Sequence, residues 1–508
     1  MATKNPTHIS ALLTDLYELT MAASYFNEKM FAPATFSLFI RKYPKDWGYF
    51  INAGLEDVLT YLERFRFTKD EVVYLRTLGL FSSEFLDYLA AIRFTGDVRA
   101  MKEGDIFFVD EPLLEVTAPL IEAQLVETYI INAVHLQSLI CTKASRSVMA
   151  ARGKSLIDFS LRRTHGPDAG LKAARSSFIA GFQATSNVLA GQLYGIPVSG
   201  TMAHSYVTAF DGEIDAFRAF ARAHPNNTIF LIDTYDTLSG ARNAREVGLE
   251  MKEHGQTLLG VRLDSGDMAQ LSKQVRRILD GAGLDRTKIF ASSGFDEYKI
   301  SGVFAQGAQI DGFGVGTNMG VSKDVPSTDM AYKLVEYDGR PVLKLSAEKA
   351  TLPGGKQVFR IFNESGRMKQ DTIALRDEKA IAGTAPLLTK VMEKGKSICH
   401  DTLGEARNRC SASLRALPDV VARVTNPERY LVLESNALEQ QKIRVRKRAQ
   451  KQIGAGEPIT GDKGLKSPLP PFAKGGPSPS QGMILRKRSA RGDSRRFPRS
   501  ETRNPDPK

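Results

Sequence analysis

The sequence predicts an α/β protein whose centre is a (β/α) barrel, flanked by a β-rich α+β domain split across both sides of the barrel and followed by a basic tail. Three observations carry this. Between residues 155 and 320, short apolar runs recur at 156–157, 196–198, 229–232, 258–261, 289–290 and 313–315, mostly about thirty residues apart, with helical patterns between them. Strand, polar cluster and helix repeated at that period mark parallel βα units, and so many in succession favour a barrel over an open sheet. On either side, 95–118 and 332–361 are dense in short strand patterns. Residues 441–508 hold 18 of the 69 Lys and Arg, 5 of the 57 Asp and Glu, and nine of the 23 prolines, so they are expected to be disordered. The expected parts are 1–150 and 331–440 for the split domain, 151–330 for the barrel and 441–508 for the tail.

The elements follow in order. The stretch from Leu12, with Thr14, Tyr17 and Glu18, reads as a helix, and 35–41 alternate like a strand ending on Arg41. Leu55, Val58, Leu59 and Leu62 fall at i, i+3, i+4 and i+7, one face of a helix over 54–65. Gly96-Asp97, Gly104-Asp105 and Glu111-Pro112 punctuate short strands. A helical stretch then runs from Pro119 to about 152, with His135 read as a core or capping residue. The clearest barrel helix sets Met268, Leu271, Val275, Ile278 and Leu279 on one stripe closed by Gly281. Beyond Met330, residues 332–345 form a hairpin pattern turning at Asp338-Gly339, 357–361 another strand and 402–417 a final helix.

Apolar content of 42% and charged content of 25% are those of a globular protein with a sizeable core. No run of eighteen apolar residues occurs and the first residues have no apolar signal core, which leads to the expectation of a cytoplasmic protein without a membrane partner. Three cysteines, 141, 399 and 410, are too few for a disulfide framework. Cys399, His400 and Cys410 have no evident fourth ligand, so an inert reading is preferred to zinc. The net charge of +12 resides in the tail, because residues 1–440 carry 51 basic against 52 acidic side chains. With Phe472 and Phe497 the tail's only aromatics, stacking on bases is poorly served, which argues against nucleic acid and for an appendage without a specific role.

In a barrel of this kind reactive groups gather at the C-terminal ends of the strands. Each predicted strand end carries them: Asp158 to Arg162-Arg163, Thr201 with His204, Asp233 with Asp236, Arg262 with Asp264 and Asp267, Ser292-Ser293-Gly294 with Asp296, and Gly312 to Thr317. Arginine forks and glycine- or serine-rich turns cradle phosphates, and carboxylates converging with them suggest Mg²⁺ held between protein and a polyphosphate. Each cluster read alone is equally a helix cap. His204, between a strand end and a helix start, is available as a neutral nucleophile or base near pH 7.

Read as motifs, LLTDLYELT at 12–20, GTMAHS at 200–205, DTYDT at 233–237, GVRLDSGD at 260–267, SSGFDE at 292–297, GFGVG at 312–316 and KLSAEKATLPGGKQVFR at 344–360 closely resemble the nicotinate phosphoribosyltransferase family, over about 8 to 435. The resemblance implies an irregular (β/α) barrel of the type II phosphoribosyltransferase kind and formation of nicotinate mononucleotide and pyrophosphate from nicotinate and phosphoribosyl pyrophosphate, coupled to ATP hydrolysis. By the same resemblance His204 would be a phosphohistidine, and Tyr17, Thr201 and Arg262 would bind nicotinate. Tyr17 would reach in from a second subunit of a homodimer. Thr317, Gly316, Ser293 and Gly294 would hold the donor's 5-phosphate, with Arg162 a further phosphate contact. Asp233, Asp264 and Asp267 would orient the ribose and the Mg²⁺-pyrophosphate.

Two other readings are weighed against it. A nicotinamide-using relative shares the barrel and the histidine but would read the amide with a carboxylate, for which the Asp211 and Asp215 region is the candidate. A nucleic-acid-tethered protein with an inactive barrel would bind in a steeply salt-dependent way through the tail.

Overall fold

The computed structural model describes residues 9–345, 351–380 and 383–454. Six strands lie parallel in the order Ala184–Thr185, Ser155–Asp158, Gly312–Val315, Lys288–Ala291, Gly260–Leu263, Ile229–Leu231. They curl as half of an irregular barrel, extended past Thr185 by a single parallel bridge to Val198. The intervening helices bury the stripes their sequences carry: Met268, Val275 and Leu279 on Met268–Asp280, and Ala244, Val247 and Met251 on Thr237–Glu253. Each large apolar side chain so buried contributes about 1.5–3 kcal/mol.

One expected strand changes. The apolar run 196–198 makes only the bridge at Val198, and Ala184–Thr185, too short to stand out in the sequence, takes the strand position. Pro197 accepts from the Thr185 N–H through its carbonyl but has no N–H to carry the ladder on.

The two β-rich pieces meet in one seven-stranded sheet. Pro33–Ile40 lies between Met330–Tyr337 and Leu114–Pro119, antiparallel to both, and Asp97–Ala100 pairs with Thr389–Glu393. A second sheet joins Lys356–Phe362, Met368–Leu375, Thr384–Pro386 and Val432–Glu434. Between this domain and the barrel runs the helix Glu127–Ala150, whose fully buried Lys143 and Arg146 both meet Glu297 at the start of Glu297–Ala305. His135 on the same helix is half-buried and accepts from the loop N–H of Thr328 through Nε2. Cys410 is buried beside Cys141. Among the described residues no group of three or more His, Cys, Asp or Glu is placed to hold a metal ion.

The expected start of the tail at 441 is corrected, because Asn436–Gly454 is one helix. Leu438 and Val445, seven residues apart, are buried, Gln441 donates to the Pro353 carbonyl, and Lys442 pairs with Glu434. Residues 455–508, with the Pro-rich and Arg-rich runs, lie outside the described residues, as do 346–350 of the motif at 344–360. No helix among the described residues is long and apolar enough to cross a membrane.

Candidate active site

A cleft of about 600 Å³ opens at the C-terminal ends of the parallel strands, roughly twice the volume of two cavities elsewhere, each about 310 Å³. Its walls come from the loop after every barrel strand except Ile229–Leu231, so residues far apart in the chain converge there. Of the residues expected at the site, Arg162, His204, Arg262, Asp264, Ser293, Gly294, Gly316 and Thr317 line it.

Arg262 is the second-last residue of Gly260–Leu263, and its guanidinium turns toward the loop at 200–205. Nη1 donates to Thr201 Oγ1 at 2.8 Å and Nη2 to the Met202 carbonyl at 2.9 Å. Nε is buried and makes no hydrogen bond among the described residues. Burial lowers the guanidinium pKa from its usual range against the opposing pull of Asp264 and Asp233. The Phe159 ring lies 6.0 Å from the guanidinium carbon. The strand Gly312–Val315 approaches that ring so closely that a Cβ on Gly314 would stand 2.4 Å from it, which is why glycine occupies the position.

His204 opens the short helix His204–Thr208, and its side chain is half-buried. Nδ1 lies 3.2 Å from Thr234 Oγ1, and Nε2 lies 3.8 Å from Asp264 Oδ2, an ion pair only when the ring is protonated. Asp264 is braced in turn: Oδ1 accepts from Ser292 Oγ, and its N–H donates to Asp233 Oδ2 at 3.1 Å. Ser265 Oγ also donates to Asp233 Oδ2, while Asp233 Oδ1 is buried with no partner among the described residues. His204 and Asp264 therefore share one end of the cleft, and Asp233, which like Thr201 is not part of its lining, adjoins Asp264 with one carboxylate oxygen unpartnered among the described residues.

The remaining strand-end carboxylates make local hydrogen bonds. Asp236, Asp267 and Asp296 each cap a helix, accepting respectively from Ser239, from Ala269 and Gln270, and from Lys299 N–H groups. Asp267, expected near the metal, thus already serves a helix N-terminus through Oδ1. Asp158 is fully buried, accepting from Ser160 and Thr185. Tyr17 is 47% exposed on Leu16–Asn27 and does not line its own chain's cleft; nor do Asp211 and Asp215. Sequence reasoning missed Phe159 and Thr234. Thr234 sits inside the DTYDT motif it did quote, whereas nothing in the sequence marked Phe159.

Three family models match the chain: the nicotinate phosphoribosyltransferase (NAPRTase) N-terminal domain over 12–135, the NAPRTase family over 154–357 and the C-terminal domain over 381–442. The chain is 50% identical over 413 residues to nicotinate phosphoribosyltransferase pncB2 of Mycobacterium tuberculosis, covering 81% of this chain and 88% of that one. It is 45% identical over 380 residues to the Bacillus subtilis nicotinate phosphoribosyltransferase, covering 73% and 77%. Its fold is similar to the crystal structure of human nicotinic acid phosphoribosyltransferase, with a TM-score of 0.77, 30% identity and coverage of 85% of this chain and 99% of that one.

Proposed function

We propose, from the premise that the chain belongs to the nicotinate phosphoribosyltransferase family, how its cleft makes nicotinate mononucleotide and pyrophosphate from nicotinate and 5-phosphoribosyl 1-pyrophosphate, a salvage step toward NAD. The observation that carries the proposal is the half-buried Arg262 fork with Thr201 beside it. A planar cation and a hydroxyl suit the nicotinate carboxylate, and no carboxylate from 211–215 enters the cleft to prefer an amide.

With the carboxylate on Arg262 and Thr201, the pyridine nitrogen faces the ribose. Its lone pair forms the N–C1 bond while the C1–O bond to pyrophosphate breaks and the pyrophosphate leaves with that electron pair. Cationic character at C1 is stabilised by the carboxylates of Asp233 and Asp264, which also orient the ribose hydroxyls. The 5-phosphate lies on Ser293, Gly294, Gly316 and Thr317, with Arg162 at the rim. The unpartnered Asp233 Oδ1 beside Asp264 fits Mg²⁺, which takes one or two carboxylates together with phosphate oxygens. Bound there, Mg²⁺ would offset the charge of the pyrophosphate.

ATP is the third substrate. In the tautomer that donates Nδ1–H to Thr234, His204 keeps a lone pair on Nε2. That lone pair attacks the γ-phosphorus: an N–P bond forms, the P–O bond to ADP breaks, and water later cleaves N–P to release phosphate. The protein acts as a homodimer, Tyr17 of a second copy stacking on the pyridine ring. Leu13, Leu16 and Tyr17, at 52%, 51% and 47% exposure, leave an apolar face for that copy to cover. It works in the cytoplasm.

The test measures nicotinate mononucleotide formation with Mg²⁺, with and without ATP, for the full chain and His204→Ala. ATP-stimulated product whose stimulation disappears in His204→Ala is the expected result. No product from folded protein, or preference for nicotinamide in direct competition, would overturn the assignment.

A further inference from the structure

The turn that follows Lys288–Ala291 is held in an unusual conformation. Ser293 has φ +86° and Gly294 φ +65°, consecutive left-handed residues, the first of which carries a side chain. Such a backbone persists only where its surroundings hold it. Here two side chains do so from outside the turn. Lys299 Nζ donates to the Ser293 carbonyl at 2.6 Å and lies 4.6 Å from the centre of the Phe295 ring. Asn318 Nδ2 donates to the Gly294 carbonyl at 2.9 Å and to Asp296 Oδ2 at 3.1 Å.

A trans peptide points its carbonyl and its N–H in opposite directions. Holding the Ser293 carbonyl therefore fixes where the Gly294 N–H points, and holding the Gly294 carbonyl fixes the Phe295 N–H. Among the described residues neither N–H donates to a protein acceptor. Ser293 and Gly294 line the cleft, and Asn318 directly follows Gly316 and Thr317, which line it from the neighbouring strand. Asn318 thus ties two loops that face one cleft, while Lys299 fastens one of them to its own helix.

We propose that Asn318 and Lys299 are positioning residues for the phosphoribosyl donor, holding two carbonyls back so that the Gly294 and Phe295 N–H groups are presented to its phosphate. This rests on the donor-binding reading of the cleft given above. Neither residue touches the reacting atoms, so their removal acts on donor binding and leaves nicotinate recognition at Arg262 alone.

The experiment uses the full chain as wild type, Asn318→Ala, Asn318→Asp, Lys299→Met and Lys299→Arg. Binding of 5-phosphoribosyl 1-pyrophosphate with Mg²⁺ is measured by calorimetry, and turnover with nicotinate separately. Asn318→Ala and Lys299→Met are expected to weaken donor binding and raise the donor KM about tenfold, with kcat, nicotinate KM and thermal midpoint at wild-type values. Asn318→Asp, which replaces a donor with an acceptor facing Asp296, should lose more, and Lys299→Arg, which keeps a cationic donor, should retain wild-type binding. Unchanged donor affinity in Asn318→Ala and Lys299→Met, or an equal rise in both KM values, would overturn the proposal. Wild-type protein that binds the donor but leaves nicotinate unreacted would sink the substrate assignment while the binding series still decides the clamp. Wild-type protein that does not bind the donor would sink both.

Discussion

The imidazole of His204 is held by the hydroxyl of Thr234, Nδ1 to Oγ1 at 3.2 Å, across a gap of thirty residues and two barrel loops. That bond fixes the orientation of the ring and turns its other nitrogen toward Asp264. Thr234→Val keeps the shape and removes the bond. Expected is a fall of about tenfold in the ATP-stimulated rate, with the rate measured without ATP unchanged. Equal stimulation by ATP in wild type and variant would show that Thr234 does not orient the ring.

Arg262→Lys tests recognition of the substrate carboxylate. A lysine keeps the charge, but its donors radiate from one nitrogen and cannot reproduce the planar fork that reaches Thr201 and Met202 through two separate nitrogens and offers a bidentate face to a carboxylate. The KM for nicotinate should rise on the order of a hundredfold while the donor KM stays within severalfold of wild type, read by titrating each substrate at saturation of the other. An unmoved nicotinate KM would place carboxylate recognition elsewhere.

What could be read in the sequence was whatever repeats or buries a face. The βα period and the stripe of Met268–Asp280 were visible because each strand and helix must hide an apolar side. The helix Asn436–Gly454 was not, since Leu438 and Val445 are too sparse to stand out against six basic residues. At the site the limit is direction. Asp264 and Asp267 occupy the same loop, and both precede a helix. One faces the cleft while the other turns back onto the N–H groups of Ala269 and Gln270. Nothing in the order of residues distinguishes them, because each Asp is equally able to cap. Phe159 escaped for a related reason: its place beside Arg262 depends on the close approach of Gly314 from a strand more than 150 residues away.

Gly314→Ala should be costly for that reason. A Cβ there would stand 2.4 Å from the Phe159 ring, and relief requires the ring to swing toward the cleft or the strand to shift, at about 1–3 kcal/mol. Because Phe159 also walls the cleft, nicotinate KM should rise along with the loss of thermal stability. Gly302→Ala is the control. That glycine lies within Glu297–Ala305 with nothing within 4 Å of where a methyl would stand, so the substitution should be neutral or stabilise by about 0.5–1 kcal/mol. Equal midpoints for the two variants would refute the close approach.

Glu18 gives a prediction in pH. Its carboxyl is fully buried, accepts from Thr14 and Thr128, and faces the nearby charge of Glu127. Burial is the main cause, only partly opposed by the threonine hydrogen bonds, of a pKa raised from about 4.5 to about 7. With the folded value above the unfolded one, the folded state keeps a proton that the unfolded state has released. The stability this confers is complete below about pH 4.5 and is lost as pH rises through about 7, a change on the order of 1–3 kcal/mol. Glu18→Gln cannot ionise and escapes that loss. The midpoint of the variant minus that of wild type should therefore grow more positive between pH 5 and pH 8, with the background titration of other groups common to both proteins. A difference that stays flat across that range would mean that Glu18 ionises in the folded protein as readily as in the unfolded one.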